Sequence, residues 1–288
     1  MQGSMSTIEC PPPALTPAKD QRVAKRPHAA WKPLHWQEAA MESFGLGLFM
    51  IAACGFSALW ESPRSPLAGQ FNSNFTRRLA MALSMGATAI ALIYSPWGRR
   101  SGAQLNPSTT VTFWRLGKVP TRDAAAYVGS QFLGGIAGVY AAAWIWGSAV
   151  TDPPVRYAVT VPGPVGRLAA LTTEFAISFL MMTVVLGISN HQRWKSWTGV
   201  CAGCVVALNI LLAGPISGMS MNPARTFASA FPAAEWTAFW VYVVAPVAGM
   251  LLAAELRLRL VGSGSVRCAK LHHPDHIRCI FCNSEGSR

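Results

Sequence analysis

Two short segments of the chain resemble each other, and each contains asparagine followed by proline. Residues 101–108 read Ser-Gly-Ala-Gln-Leu-Asn-Pro-Ser, and residues 217–224 read Ser-Gly-Met-Ser-Met-Asn-Pro-Ala. We call each Asn-Pro segment a box. Asparagine is a good helix cap and proline fits the first helical position, so each box predicts a helix start. The apolar stretch after each box has about 9 residues, or about 14 Å of helix, roughly half the thickness of a bilayer core. We therefore expect two half-helices that enter from opposite faces and meet at the midplane.

The boxes suggest a chemistry that suits an uncharged solute. The unpaired N–H groups at a helix N-terminus carry roughly half a positive charge, so two facing N-termini repel cations, including hydronium. Asn106 and Asn222 can each aim an amide donor into a lumen, where a passing water molecule would accept from both and lose its proton-wire orientation. The alternative is that each asparagine only caps its helix.

Composition indicates a membrane protein. Hydrophobic residues make up 51% of the chain and charged residues 12%, about half the charge content of soluble domains. Six long apolar stretches predict transmembrane helices rather than the alternating strands of a barrel, at residues 36–59, 79–97, 124–147, 168–189, 198–214 and 236–256. The fifth stretch is short for a span and needs its flanks.

Basic residues predict the orientation. With six spans both termini share one side, and 18 of the 24 Lys and Arg residues fall on that side. The positive-inside rule therefore places both termini in the cytoplasm. The net charge of +12 is expected to face anionic lipid, and nucleic-acid binding is disfavoured because the basic residues are dispersed among loops.

The two halves form an inverted repeat. Residues 127–134 align with residues 242–249, and Glu42 in the first span corresponds to Glu174 in the fourth. Three spans per half turn the second half upside down, which is the sequence pattern of a permeation site near the repeat interface.

These features resemble the aquaporin (major intrinsic protein) family over residues 36–260. The resemblance rests on Asn106-Pro107-Ser108, Asn222-Pro223-Ala224-Arg225, the two glutamates and Gln131. It implies an all-α fold with six transmembrane helices and two re-entrant half-helices, and a homotetramer with one pore per subunit. It also implies a passive channel, not an enzyme, that needs no cofactor for transport.

The family pattern assigns roles to further residues. Glu42 and Glu174 would brace the re-entrant loops; a proton relay is disfavoured because no other acid or histidine lies well inside a span. A selectivity ring near the outer mouth would contain Gly86, Ile210, Met219 and Arg225, with Met85 replacing Gly86 if the register slips by one. The ring lacks the aromatic and histidine of strict water channels, and Gln104 replaces a histidine often found before the first box.

The permeant is expected to be water. Thr226 and Ala230 are the residues of water-type members, while the ring leaves a glycerol or metalloid-acid facilitator open as the alternative. An ion-coupled transporter is disfavoured because the spans contain no charged pair.

The C-terminal tail carries a separate pattern. Cys279-Ile280-Phe281-Cys282 has the spacing of a zinc knuckle, and Cys268 with His272 would complete four ligands. A channel regulated by metal or redox state through this tail is a second hypothesis, and an unstructured tail with reactive thiols is its rival. The predicted domains are a disordered N-terminal tail (1–35), a channel domain (36–260, with repeats at about 36–147 and 167–260) and the Cys/His-rich tail (261–288). The expected location of the protein is a bacterial inner (plasma) membrane.

Overall fold

The computed structural model describes residues 34–71, 73–273 and 279–282. The described residues form helices and turns, without a β-strand, and the predicted N-terminal tail lies almost entirely outside them. The helices are α1 (Trp36–Glu61), α2 (Asn74–Tyr94), α3 (Pro96–Ser101), α4 (Pro107–Arg115), α5 (Thr121–Trp146), α6 (Ser148–Thr151), α7 (Arg167–Ser189), α8 (Thr198–Ser217), α9 (Pro223–Ala233) and α10 (Val241–Val261).

Six of the described helices are long and apolar enough to cross a membrane, namely α1, α2, α5, α7, α8 and α10. The fifth span is longer than predicted at both ends, because the 3₁₀ helix Lys195–Trp197 precedes α8 and α8 continues to Ser217. This confirms the expected six-span, all-α fold.

The starts of two spans differ from the sequence prediction by five residues. Helix α2 begins at Asn74, five residues before the predicted start, because the side chain of Ser73 accepts a hydrogen bond from the Thr76 amide and caps the helix. Helix α10 begins at Val241 instead of Trp236. Hydropathy counted Trp236 as part of the span, but its ring packs outside the helix, 5.6 Å from the ring of Phe227.

The two half-helices begin at the predicted prolines. Helix α4 has 9 residues and starts at Pro107, and α9 has 11 residues and starts at Pro223. The loops before them share one backbone conformation, since Gly102 and Gly218 both have positive φ angles, of 105° and 76°. A glycine adopts this left-handed conformation without strain, which explains its place in both boxes.

Helix packing repeats in the two halves as well. Helix α5 packs against α1, and α10 packs against α7. A Cβ on Gly134 would overlap the main-chain oxygen of Ser43, and a Cβ on Gly249 would overlap that of Phe175. The same close helix approach therefore occurs in each half, and the half-helices fit between the two pairs, with α4 contacting α10 and α9 contacting α5.

Candidate functional site

The N-termini of α4 and α9 touch each other in the middle of the molecule. The Nδ2 atom of Asn106 donates to the carbonyl oxygen of Met221 at 2.7 Å, and Nδ2 of Asn222 donates to the carbonyl oxygen of Leu105 at 2.7 Å. Each asparagine thus bonds the residue that precedes the other asparagine. The expected tip-to-tip meeting of the half-helices is confirmed.

Both asparagines also cap their helices. The Oδ1 atom of Asn106 accepts from the Ser108 amide at 2.9 Å, and Oδ1 of Asn222 accepts from the amides of Ala224 and Arg225 at 3.1 and 3.2 Å. An amide nitrogen has two hydrogens, and the bond to the opposite loop uses one of them. Each asparagine can therefore cap its helix and also donate to a solute, although these two roles were treated as alternatives in the sequence analysis.

Both asparagines line a cavity of about 380 Å³. One end lies at the loop that contains Pro154 and Val159, and the other end lies at Leu271; we call these the loop end and the tail end. Of the described residues, the charged ones on its wall are Glu61 and Arg225. Methionine side chains form much of the wall, namely those of Met81, Met85, Met181, Met182, Met219, Met221 and Met250.

The structure corrects one member of the predicted selectivity ring. Ile210, Met219 and Arg225 all line the cavity, but Gly86 does not. A Cβ on Gly86 would lie 2.8 Å from the carbonyl oxygen of Gly203, so this glycine serves the close packing of α2 on α8. Met85 lines the cavity in its place, as expected for the register shifted by one residue.

The half-buried Arg225 side chain is held at the loop end of the cavity. Its guanidinium donates to the hydroxyl of Thr160, a residue that is 3% exposed. Thr160 carried no signal in the sequence, because it lies in a long loop with no counterpart in the first half.

Glu42 lies behind the first re-entrant loop (residues 101–106). Its Oε1 atom accepts from the Ser101 hydroxyl at 2.7 Å and from the Gln104 amide at 3.0 Å. Its Oε2 atom accepts from the Leu105 amide and from Nε2 of Gln131 at 2.9 Å. Both oxygens accept hydrogen bonds from the loop, and Gln131 supplies a further one, so the Glu42 side chain fixes the loop.

Glu174 holds the second re-entrant loop (residues 217–222) in the same way. It accepts from the Ser217 hydroxyl at 2.7 Å, the Ser220 amide at 2.9 Å and the Met221 amide at 2.7 Å. The carboxylates of Glu42 and Glu174 are fully buried, and each accepts hydrogen bonds from main-chain amides of the loop in its own half.

Two tyrosines that sequence reasoning left without a role complete this bracing. The Tyr127 hydroxyl donates to the carbonyl oxygen of Ser101 at 2.9 Å, and the Tyr242 hydroxyl donates to that of Ser217 at 2.6 Å. Both tyrosines are fully buried. The alignment of Tyr127 with Tyr242 in the repeat could have identified this role, because equivalent buried hydroxyls in the two halves need equivalent hydrogen-bond partners.

The C-terminal tail packs on the first re-entrant loop at the tail end of the cavity. The Leu271 amide donates to the carbonyl oxygen of Gly102 at 3.1 Å, and Nε2 of Gln104 donates to that of Ala269 at 3.2 Å. Leu271 also contributes to the cavity wall, in the same cavity as Asn106.

Four possible metal ligands converge in this tail. The ligand atoms of Cys268, His273, Cys279 and Cys282 all lie within 4.8 Å of one another. The predicted set contained His272, whose ring instead lies 4.8 Å from the ring of Tyr94, so the histidine of the cluster is His273. A hydrogen bond from Cys268 lowers the pKa of the Cys279 thiol, and hydrogen bonding to Cys279 raises the pKa of His273 to about 9.

Comparison with known proteins gives consistent matches. The family model described as "Major intrinsic protein" matches residues 30–256. Aquaporin NIP6-1 of Arabidopsis thaliana is 37% identical over 198 residues, which cover 68% of this chain and 60% of that protein. Aquaporin NIP1-3 of Oryza sativa subsp. japonica is 33% identical over 210 residues, covering 73% of this chain and 69% of that protein.

A solved structure is similar in fold. The X-ray structure of the aquaglyceroporin from Plasmodium falciparum matches with a TM-score of 0.63 at 18% identity, covering 78% of this chain and 97% of that chain. The aligned part of this chain spans less than two thirds of the Arabidopsis relative's length.

Proposed function

The chain belongs to the major intrinsic protein family, whose aquaporins are channels and not enzymes, and from that premise we propose that it is a passive membrane pore for water and small neutral solutes. The observation that carries this proposal is that Asn106, Asn222 and Arg225 line one and the same cavity. The asparagine amides supply donors at its centre, where the wall is otherwise mostly apolar.

The electrostatics of the cavity support exclusion of cations. The N-termini of α4 and α9 converge on the point where the asparagines meet, and each contributes a partial positive charge in a setting of low dielectric constant. Glu42 and Glu174 do not cancel this charge in the lumen, because their oxygens are occupied by loop donors behind the half-helices. Arg225 adds a full positive charge at the loop end, and the other charged residue of the wall, Glu61, lies 3.9 Å from Arg77.

Water is proposed as the main solute because of Thr226 and Ala230, and the ring gives some tolerance for other solutes. Met85, Ile210 and Met219 give it apolar walls, and Arg225 is its polar donor. Methionine side chains are flexible, so the ring adapts to small neutral solutes such as glycerol better than a rigid aromatic ring would.

The same proposal covers placement and assembly. We propose a multi-pass protein with both termini in the cytoplasm, so that the tail end of the cavity is cytoplasmic, and a homotetramer with one pore per subunit. The relatives named above are plant proteins, which gives the expected bacterial inner membrane no support.

Permeability of proteoliposomes tests the proposal. Stopped-flow light scattering should give an osmotic water permeability well above that of empty vesicles, and urea and glycerol should be measured in the same preparation. Arg225→Ala should raise urea and glycerol permeability relative to water, because it removes the largest side chain and the charge of the ring. The matched control is Arg64→Ala, since Arg64 pairs with Asp152 on the surface at the same end.

Water permeability no higher than in empty vesicles, from protein shown by circular dichroism to be helical, would contradict the proposal. Identical solute ratios for wild type and Arg225→Ala would remove Arg225 from the ring.

A further inference from the structure

We propose that Cys268, His273, Cys279 and Cys282 bind a zinc ion that clamps the C-terminal tail onto the first re-entrant loop. This site lies outside the transport cavity and is independent of which solute the pore conducts.

The distances are those of a site that needs little adjustment to take the ion. The Sγ atoms of Cys268 and Cys279 are 3.3 Å apart, and Nε2 of His273 is 3.1 Å from Sγ of Cys282. In a tetrahedral zinc site with bonds of 2.3 Å to sulfur and about 2.0 Å to nitrogen, neighbouring ligand atoms are about 3.5 to 3.8 Å apart. All four atoms already lie within 4.8 Å of one another, so shifts of about 1 Å or less would complete the tetrahedron.

The donor set selects the class of metal. Three sulfurs and one imidazole nitrogen form one of the usual ligand sets of structural zinc, and four protein ligands leave no open position for catalysis. Magnesium and calcium require oxygen ligands, which the cluster lacks. Calcium- or magnesium-dependent regulation through this cluster is therefore excluded by its chemistry.

A plain packing role explains the cluster less well. Buried cysteine is common as a small hydrophobic residue, and Cys279 is only 1% exposed. That account does not explain why the imidazole nitrogen of His273 and the sulfur of the exposed Cys282 both lie within 4.8 Å of the Cys268 and Cys279 sulfurs. A disulfide between Cys268 and Cys279 is the chemical rival, but it would leave His273 and Cys282 unused and is disfavoured in the reducing cytoplasm where we place the tail.

The site would join two parts of the tail. Cys268 and His273 lie in the segment 266–273, which is bonded to the first loop through the Leu271 amide and the Ala269 carbonyl. Cys279 and Cys282 flank Phe281, whose ring lies 6.1 Å from that of the loop-bracing Tyr127. A zinc ion would therefore fix both parts against the same loop, next to the tail end of the cavity.

Metal content of the full-length protein tests the site. Protein purified with reduced thiols and dialysed against zinc should hold about one zinc ion per chain. Cys279→Ser/Cys282→Ser should lose it, whereas Cys201→Ser/Cys204→Ser should retain it, because that pair has the same spacing but lies in α8. His273→Asn should weaken zinc binding at least about tenfold, and His272→Asn should not.

Two further measurements use only the wild-type chain, so they do not depend on whether a variant folds. Cobalt(II) titrated into the apo protein should give the charge-transfer and ligand-field absorption of a tetrahedral thiolate site. Removing zinc should raise hydrogen exchange at the Leu271 amide, which the clamp holds against Gly102.

Each measurement has an outcome that overturns the proposal. These are a wild-type chain with reduced thiols that binds neither zinc nor cobalt, zinc retained equally by Cys279→Ser/Cys282→Ser, or a Cys268–Cys279 disulfide that persists under reducing conditions. Unchanged exchange at Leu271 on zinc removal would overturn the clamp. None of these results depends on water permeability, so they are independent of the proposed transport function.

Discussion

Replacing Glu42 by glutamine tests the bracing of the re-entrant loops by the smallest available change in shape. The carboxylate accepts four hydrogen bonds, two at each oxygen, and each oxygen faces one main-chain amide, from Gln104 or from Leu105. A glutamine side chain presents an NH₂ group at one of these two positions. The Ser101 hydroxyl can rotate and the Gln131 amide can flip, but a main-chain N–H cannot, so either orientation leaves one buried N–H facing another donor.

The cost follows from that count. A buried donor without an acceptor costs about 1–3 kcal/mol. For a chain of this size that corresponds to a melting temperature lower by roughly 2–5 °C. Glu174→Gln should behave similarly, because its Oε2 atom faces the Met221 amide and its Oε1 atom faces the Ser220 amide.

Tryptophan fluorescence during heating in mild detergent, at one fixed scan rate, measures the effect. The matched control is Glu255→Gln, which removes one charge from a surface pair with Arg115 and should cost no more than about 1 kcal/mol. A Glu42→Gln protein that melts with wild type and conducts water equally would refute the reasoning, since it would mean that the loop does not depend on an acceptor at both oxygens.

Four further changes probe other parts of the molecule. Gly134→Ala should prevent stable packing of α1 on α5, seen as loss of the folded species in size-exclusion chromatography, whereas Gly129→Ala, whose Cβ has no neighbour within 4 Å, should elute as wild type. Met85→Ala should raise the ratio of glycerol to water permeability in proteoliposomes by widening the ring. Gly86→Ala should lower the melting temperature without changing that ratio, and the reverse pattern would restore Gly86 to the ring. Gln104→Ala should speed hydrogen exchange in residues 266–273 by removing one of the bonds that hold the tail, and unchanged exchange would show that this bond contributes nothing.

The sequence predicted the centre of the molecule well because that part depends on local rules. Asparagine followed by proline favours a helix start, and α4 and α9 begin at the predicted prolines. The inverted repeat then fixes how the two starts face each other. The structure repeats even the hydrogen bonds of Ser101 in Ser217.

Other features could not be read from the sequence, for physical reasons. Gly86 was placed by counting back without gaps, but whether it or Met85 faces the lumen depends on how the chain turns at Ser95 and Pro96 between α2 and the first box. His272 and His273 are adjacent, and only the direction of the tail decides which ring turns toward the cysteines. Trp236 is as apolar as a span residue, so hydropathy could not tell it from the start of α10.

The crossed bonds between Asn106 and Met221 and between Asn222 and Leu105 bear on biogenesis. A ribosome that has completed only the first three spans has made a loop whose central amide and carbonyl still await partners encoded more than a hundred residues downstream. In lipid such groups have no water to bond, so the first loop has little reason to settle at mid-membrane depth until the second arrives. Insertion of the two halves is thus expected to finish as one event, and a chain cut between them should be degraded instead of accumulating as half a pore.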